Sequence, residues 1–432
     1  MAAEADAPRV AVRTLGCKVN RTESEAIAED LLGRGVDIAG SGEAAEVVVV
    51  NTCTVTGEAD AKARKAVRRA LAAAGEPAVV VTGCLAAIDP EGVRGLGDRV
   101  VVEIDKSLVA SRVARLLGER AAETAVAPEA AAAPARSGPA FLTRVMVKVQ
   151  DGCDHRCSYC IVPDARGDPR SVPASNVEAR VARLADSGTA EVVLTGVNIG
   201  RYADGGTNLA ALVGRLAATG IRRIRVSSIE PLDLAEGLLA ALARTPRVMP
   251  HLHVPLQSGC DGTLEAMRRG YTVAEFAEAL RRARAALPGL AVTTDVIVGF
   301  PGESDADFAA SLAFVEACAF TKLHVFRYSR RRGTPAAGMP GHLPPPVIAA
   351  RAEAMRVLGG RLAARRAASR VGGVAAVLIE SASGKTAVGT SEDYLRIDVE
   401  GSATSVGDVV RVRLLSCEGA RLSGRAAPGN RE

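Results

Sequence analysis

Along its first 330 residues the chain keeps returning to one pattern: a short apolar run, a turn holding glycine, asparagine or cysteine, then a stretch with helical apolar periodicity. Such runs are strands buried on both faces, and the intervening stretches are long enough for helices. The repeat therefore specifies parallel α/β sheets with right-handed crossovers. Three strands fall early, at 10–15, 46–50 and 78–81, with helices expected from a capping box at Thr22-Glu23-Ser24-Glu25 through Leu32 and over 59–74. Six more fall at 144–149, 191–194, 223–226, 251–255, 292–298 and 322–326, with helices at 176–186, 274–286 and 305–317. Six βα units predict a partial (βα)6 barrel whose active residues gather at the C-terminal ends of its strands.

The two series divide at an Ala/Pro/Glu-rich stretch without apolar periodicity, so the chain parses as 1–122, a linker at 123–138, 139–368, and 369–428. A helix over 347–369 leads into the last unit. There short alternating runs at 374–379, 385–389, 394–399 and 409–415 predict a small antiparallel β-barrel of OB-like size. A length of 432 residues fits two or three domains, and a net charge of +5 permits a nucleic-acid partner without requiring one. No apolar run approaches the roughly 20 residues of a bilayer span, and Met-Ala-Ala-Glu-Ala-Asp lacks the features of a signal peptide. A cytoplasmic, membrane-free protein is expected.

Nine cysteines in that setting favour metal or cluster ligation over disulfides, the more so because an odd count cannot fully pair. Cys17, Cys53 and Cys84 each lie just past the end of an early strand, and an open parallel sheet gathers such ends along one ligand-binding edge. Cys153, Cys157 and Cys160 form a C-x3-C-x2-C triplet just after the strand at 144–149. A cubane with four Cys ligands has every iron closed, whereas three leave one iron open. Zinc, with His155 as a further ligand, and inert buried thiols are the alternatives. Cys260, Cys318 and Cys417 are expected to be small buried apolar residues.

The triplet resembles that of the radical S-adenosylmethionine (SAM) superfamily. With Thr14-Leu-Gly-Cys-Lys-Val-Asn20, Asn51-Thr-Cys53, Thr82-Gly-Cys84, Ala165-Arg-Gly167, Arg225-Val-Ser-Ser-Ile-Glu-Pro231, Pro255-Leu-Gln-Ser-Gly-Cys-Asp261, Asp295-Val-Ile-Val-Gly-Phe-Pro-Gly-Glu303 and His324-Val-Phe-Arg-Tyr-Ser329, nearly the whole chain resembles the methylthiotransferases of that superfamily. Leu-Gly-Cys-Lys-Val-Asn and Gln-Ser-Gly-Cys-Asp are similar to the branch acting on N6-threonylcarbamoyladenosine beside the tRNA anticodon. Arg21-Thr22 and Asp164 depart from that branch's usual Gln-Tyr and aromatic residue. Substrates of the other branches, isopentenyladenosine in tRNA and a ribosomal-protein aspartate, stay open, as does a non-catalytic iron-sulfur RNA-binding protein.

The resemblance implies an N-terminal methylthiotransferase domain, a radical SAM barrel and a TRAM domain. It implies two [4Fe-4S] clusters, one on Cys153, Cys157 and Cys160 and one on Cys17, Cys53 and Cys84, together with SAM. The partners it implies are tRNA, a reductase or flavodoxin/ferredoxin-type electron donor, and a sulfur donor it leaves unspecified. Cofactor contacts are expected from Tyr159, from Gly196 in the turn after a strand, and from Ser228 and Glu230 toward the ribose. Gln257 with Arg268 or Arg269 is expected at the methionyl carboxylate, because arginine offers a planar fork, and Gly299 where backbone nears the adenine. RNA contacts are expected from Arg64, Lys65, Arg68 and Arg69, from Arg330-Arg331-Arg332, and from Arg396, Arg411 and Arg413, against the alternative that these are solvated faces.

Overall fold

The computed structural model describes residues 8–40, 42–121, 143–384, 386–401 and 404–431, so the expected linker lies outside the described residues. The N-terminal unit runs β1 (Arg9–Thr14), α1 (Lys18–Gly33), β2 (Asp37–Ile38), β3 (Val47–Thr52), α2 (Gly57–Leu71), β4 (Ala78–Gly83), α3 (Cys84–Ile88), α4 (Pro90–Arg94), β5 (Val100–Val102) and α5 (Val109–Ala121). Its strands form one parallel sheet in the order β2-β1-β3-β4-β5. Period-two geometry sends Val47, Val49 and Val80 to the face covered by α1 and α5, and Val48, Val50, Val79 and Val81 to the face covered by α2, α3 and α4. Burial on both faces is why these strands read as unbroken valine runs.

Helix α1 starts earlier than its capping box suggests. The extended Cys17 occupies the N-cap position, and Thr22 lies inside the helix with its hydroxyl donating to Val19 O at 2.8 Å. The turn after β1 itself launches the helix, which leaves Glu23 and Ser24 buried rather than at a terminus.

The central unit comprises β6 (Arg144–Lys148), β7 (Gln150–Asp151), α6 (Val162–Arg166), β8 (Arg170–Ser171), α7 (Ala174–Asp186), β9 (Glu191–Thr195), β10 (Ala203–Asp204), β11 (Thr207–Asn208), α8 (Leu209–Ala217), β12 (Arg223–Val226) and α9 (Glu236–Arg244). It continues through β13 (His251–His253), α10 (Asp261–Ala266), α11 (Val273–Ala286), β14 (Ala291–Val298), α12 (Asp305–Cys318), β15 (Lys322–Arg327) and α13 (Pro345–Ala368). Two parallel sheets, β6-β9-β12 and β13-β14-β15, are joined by parallel bridges from Ile224 to Val248 and from Ser228 to His253. Six strands in sequence order thus curve into an open half-barrel.

The C-terminal unit is a closed barrel, β16 (Val374–Ser383), β17 (Thr386–Ser391), β18 (Arg396–Glu400), β20 (Arg421–Arg431) and β19 (Val409–Glu418) in spatial order. The four-strand expectation lacked β20, and the barrel is not purely antiparallel, because β20 pairs with β18 in parallel to close it. Arg411 and Arg413 do share the exposed outer face of β19.

This barrel caps the end of the half-barrel where the central strands begin. Glu191, fully buried, takes Arg225 through both carboxylate oxygens at 3.0 Å and Arg144 at 2.7 Å. Arg225 also donates to Glu392 O and Ser391 O, and Arg144 to Glu380. Tyr394 lies under Arg225 and stacks on His251 at 4.3 Å. Burial alone raises the Glu191 pKa, but Arg225 and Arg144 outweigh it and hold the carboxylate charged. Glu191→Ala, which takes the shared carboxylate from buried Arg225 and half-buried Arg144, is expected to cost about 3 kcal/mol in urea unfolding.

Candidate active site

The N-terminal cysteines are brought together by the turns that precede them. Gly16 has φ +101, and a Cβ there would lie 2.4 Å from the Cβ and 2.8 Å from the Sγ of Cys53. Gly83 has φ +90, and its Cβ would lie 2.4 Å from Asn51 Oδ1 and from Thr52 O. Only glycine lets the ends of β1, β3 and β4 approach so closely. Asn20 fastens them, its amide donating to Leu15 O at 2.9 Å and Thr52 O at 2.8 Å, while Asn51 donates to Asn20 O at 2.9 Å. Cys53 and Cys84 are buried and Cys17 is exposed, so the edge faces outward. Burial raises the Cys53 and Cys84 thiols, and a bound cation reverses such a shift by taking the thiolate.

The central triplet sits in the loop after β6. Gly152 at φ +73 passes so close to Asp168 O, 2.0 Å from a would-be Cβ, that no side chain fits. Buried Gln150 holds the loop, donating to Asp151 O and Gly152 O at 2.8 Å and accepting from Val197 N at 3.0 Å and Asn198 N at 2.8 Å. Val162 N donates to Cys160 Sγ at 3.4 Å and Arg269 Nη1 to Cys157 Sγ at 3.3 Å. Donors aimed at sulfur favour thiolates. Against them burial pushes Cys153 up to about 11 and Cys160 up to about 12. Three sulfurs of this kind on one loop fit a cluster that supplies the positive charge. Among the described residues no group of three or more His, Cys, Asp or Glu side chains stands in metal-holding geometry, the two cysteine triplets included, so this arrangement does not separate zinc from a cluster.

One cysteine of each triplet, Cys53 and Cys160, lines a common cleft. A cavity of about 160 Å³ beside Cys160 is lined by Tyr159, Gln257, Asp295 and Ile297, and one of about 710 Å³ beside Cys53 by Gly16, Glu58, Lys62, Ile348 and Arg356. Both are also lined by Thr56, Phe326, Arg327, Tyr328 and Ser329. The domains are locked around this cleft. Arg166, at the end of α6, is buried and donates to Glu23 at 2.9 Å, Asp151 at 2.9 Å and Asn20 Oδ1 at 2.6 Å. Across the cleft Arg331 donates to Thr54 at 2.6 Å and pairs with Asp60 at 2.8 Å, and Gly57 N donates to Ser329 Oγ at 2.9 Å.

The expected cofactor residues separate into several groups. Tyr159 and Gln257 line the smaller cavity, where burial raises the Tyr159 phenol and Gln257 holds a left-handed φ of +68. Such a conformation in a non-glycine residue costs about 1–3 kcal/mol and collects at functional sites. Ser228 follows β12, and the Glu230 carboxylate binds Arg269 Nη2. Of the two arginines, Arg268, at φ +57, is exposed, while Arg269 is buried against Cys157, Glu230 and Tyr271. Gly196 admits Gln150, since a Cβ would meet Gln150 O at 2.8 Å. Gly299, at φ +76, lets α13 pack closely, since a would-be Cβ lies 2.6 Å from Ile348.

Among the expected RNA contacts, Arg331 is buried in its ion pair, Arg64 binds Asp89 and Gly92 O, and Arg396 binds Glu380. Lys65, Arg68, Arg69, Arg330 and Arg332 stay exposed. Cys318 is buried as expected, but Cys260 is half-buried and donates to Asp307 at 3.2 Å, and Cys417 is half-buried. Gln150, Asn20 and Glu23 were legible only as members of motifs.

An open half-barrel with a three-cysteine loop after its first strand is the architecture of a radical SAM enzyme, and residues 147–315 match the Radical SAM superfamily. Residues 9–102 match uncharacterized protein family UPF0004. The chain is 36% identical to the threonylcarbamoyladenosine tRNA methylthiotransferase MtaB of Bacillus subtilis, over 94% of this chain and 93% of that one. It is 38% identical to a tRNA-2-methylthio-N(6)-dimethylallyladenosine synthase of Anaeromyxobacter sp., over 98% and 96% respectively. In fold it is similar to the radical SAM methyltransferase TsrM of Kitasatospora setae, with a TM-score of 0.55 at 15% identity over 76% of this chain and 77% of that one. The chain belongs to the radical SAM methylthiotransferase family of tRNA-modifying enzymes. The family implies a [4Fe-4S] cluster and SAM.

Proposed function

We propose that the chain transfers a methylthio group to C2 of N6-threonylcarbamoyladenosine at position 37 of tRNA. One [4Fe-4S] cluster rests on Cys153, Cys157 and Cys160, and a second on Cys17, Cys53 and Cys84. The supporting observation is the shared cleft: Cys53 of one three-cysteine set and Cys160 of the other, each set one ligand short of closing a cubane, line adjoining cavities. A cluster held by Cys153, Cys157 and Cys160 would supply the one electron for reductive cleavage of SAM, and one held by Cys17, Cys53 and Cys84 would carry the sulfur to be transferred.

The chain's own residues then position and insulate. Arg269 orients the Cys157 sulfur and is itself held by Glu230 and Tyr271. Gln150 ties the cysteine loop to the turn after β9. Arg166 fixes the spacing between the two triplets. Exposed Lys65, Arg68 and Arg69 on α2, with Arg330 and Arg332 beyond β15, offer the cleft a phosphate-binding rim whose affinity falls with salt. Electrons come from a reductase or a flavodoxin/ferredoxin-type donor. No helix among the described residues is long and apolar enough to cross a membrane.

The test is reconstitution under anaerobic conditions with SAM, reductant and sulfide on tRNA lacking the methylthio mark. Nucleoside mass spectrometry is expected to find the mark on threonylcarbamoyladenosine. A mark only on dimethylallyladenosine reassigns the substrate. SAM left intact under reduction excludes radical SAM chemistry altogether.

A further inference from the structure

One cation of the cleft has no counter-ion within ion-pair distance among the described residues. Arg327, the last residue of β15, lines both cavities and is exposed. Among the described residues it makes no ion pair within 4.0 Å and no side-chain hydrogen bond, although its charge reaches Glu58 across the cavity and, after Lys62, helps hold that carboxyl low. Its neighbours in the larger cavity are satisfied, Lys62 by Glu58 at 2.6 Å and Arg356 by Glu353 at 3.0 Å. The larger cavity is therefore lined by three cations, Lys62, Arg327 and Arg356, and one carboxylate, Glu58, and the smaller by Arg327 and Asp295. Beside the Arg327 guanidinium lie two apolar surfaces left open, Phe326 at 40% and Val55 at 45% exposure. An uncovered aromatic at a cleft built for a modified base is a stacking platform.

We infer that Arg327 is a specificity-determining residue that takes the carboxylate of the substrate's N6 substituent, while Phe326 and Val55 support the base. The inference rests on the proposed function and decides between the two kinds of substrate that the relatives' names carry. A threonylcarbamoyl group ends in a carboxylate, which matches the guanidinium fork through two charge-assisted hydrogen bonds. A dimethylallyl group has only carbon, so burying Arg327 against it removes water and returns nothing. The position suits the role. The smaller cavity beside Cys160 holds the reacting end, and Arg327 stands where that cavity opens into the larger one toward Cys53.

The experiment measures kcat/KM for methylthio transfer on three anticodon stem-loop RNAs, bearing threonylcarbamoyladenosine, its threonine methyl ester, or dimethylallyladenosine. The holoenzyme is compared with Arg327→Leu and Arg327→Lys. A charged hydrogen-bonded pair of this kind sets the expected scale, so Arg327→Leu should fall about 30-fold on the free acid, and Arg327→Lys should recover part of the loss. On the methyl ester the holoenzyme and Arg327→Leu should differ by less than about 3-fold, because the partner charge is already gone. Equal loss on acid and ester makes Arg327 merely structural and overturns the inference. No loss on the acid also overturns it, and both results leave the threonylcarbamoyl assignment standing. A holoenzyme that converts only the dimethylallyl RNA overturns the assignment and the inference together.

Discussion

Cys53→Ala is expected to lower bound iron from about eight to about four per chain and to abolish methylthio transfer, while 5'-deoxyadenosine still forms from SAM. Cys53 lies just past the end of β3 of the N-terminal sheet, whereas Cys153, Cys157 and Cys160 are held by a separate loop, fixed by Gln150 and Arg269. Removing one thiolate at the first site therefore does not unbuild the second. Cys157→Ala is the counterpart: iron again falls to about four, but SAM cleavage and methylthio transfer are both lost. Iron analysis with mass spectrometry of small-molecule and nucleoside products checks both variants. Methylthio product from Cys53→Ala would remove the N-terminal triplet from the chemistry.

Arg166→Met is the second large effect, and it acts on stability and assembly. Arg166 is 7% exposed and bridges Glu23 and Asn20 of the N-terminal unit to Asp151 of the cysteine loop. Lys106 and Lys148 also reach Glu23, and Lys148 reaches Asp151, so the cluster pairs two carboxylates with three cations. Methionine fills the space and leaves the carboxylates short of partners, for an expected loss of about 3 kcal/mol at pH 7 in urea unfolding. Arg166→Lys should recover only part of it, because a single ammonium cannot span Glu23, Asp151 and Asn20 at once.

The same cluster sets a pH dependence. Burial pushes the Glu23 and Asp151 carboxyls up, but Arg166 and the lysines outweigh it, and both end below their ordinary values of 4.5 and 3.8. A carboxyl with a depressed folded pKa stabilises fully above its unfolded value and loses that contribution as pH falls toward the folded one. Wild-type stability should thus decline below about pH 4.5. Arg166→Met should show a shallower decline over that range, since it has less to lose. Circular dichroism along an acid titration separates the two curves.

Much of this was legible from the chain. The valine runs gave the strands within a residue or two, because strands covered on both faces carry an unbroken apolar signal, and the cysteines after them marked one sheet edge. What stayed hidden depends on contacts between distant segments. Nothing in Arg268-Arg269 says which arginine turns inward; that is decided by Glu230, 39 residues away, and by the left-handed backbone at Arg268. The start of α1 was misplaced because Thr22-Glu23-Ser24-Glu25 imitates a capping box, whereas Glu23 is reserved for Arg166, 143 residues later. Strand β20 escaped because Leu422 and Gly424 carry little alternating signal and Gly424 is fitted against Arg413 O. Arg331 read as part of a solvated basic run, yet its partners Thr54 and Asp60 sit on another domain.

The central claim is that two three-cysteine sites on one cleft each hold a cluster with an open iron. Electron paramagnetic resonance of the reduced, reconstituted protein, read with and without SAM and alongside iron analysis, tests it most directly. The account predicts about eight irons per chain and two cluster signals, one shifted by SAM and lost in Cys157→Ala, the other indifferent to SAM and lost in Cys53→Ala. About four irons with a single signal that survives Cys53→Ala would contradict it.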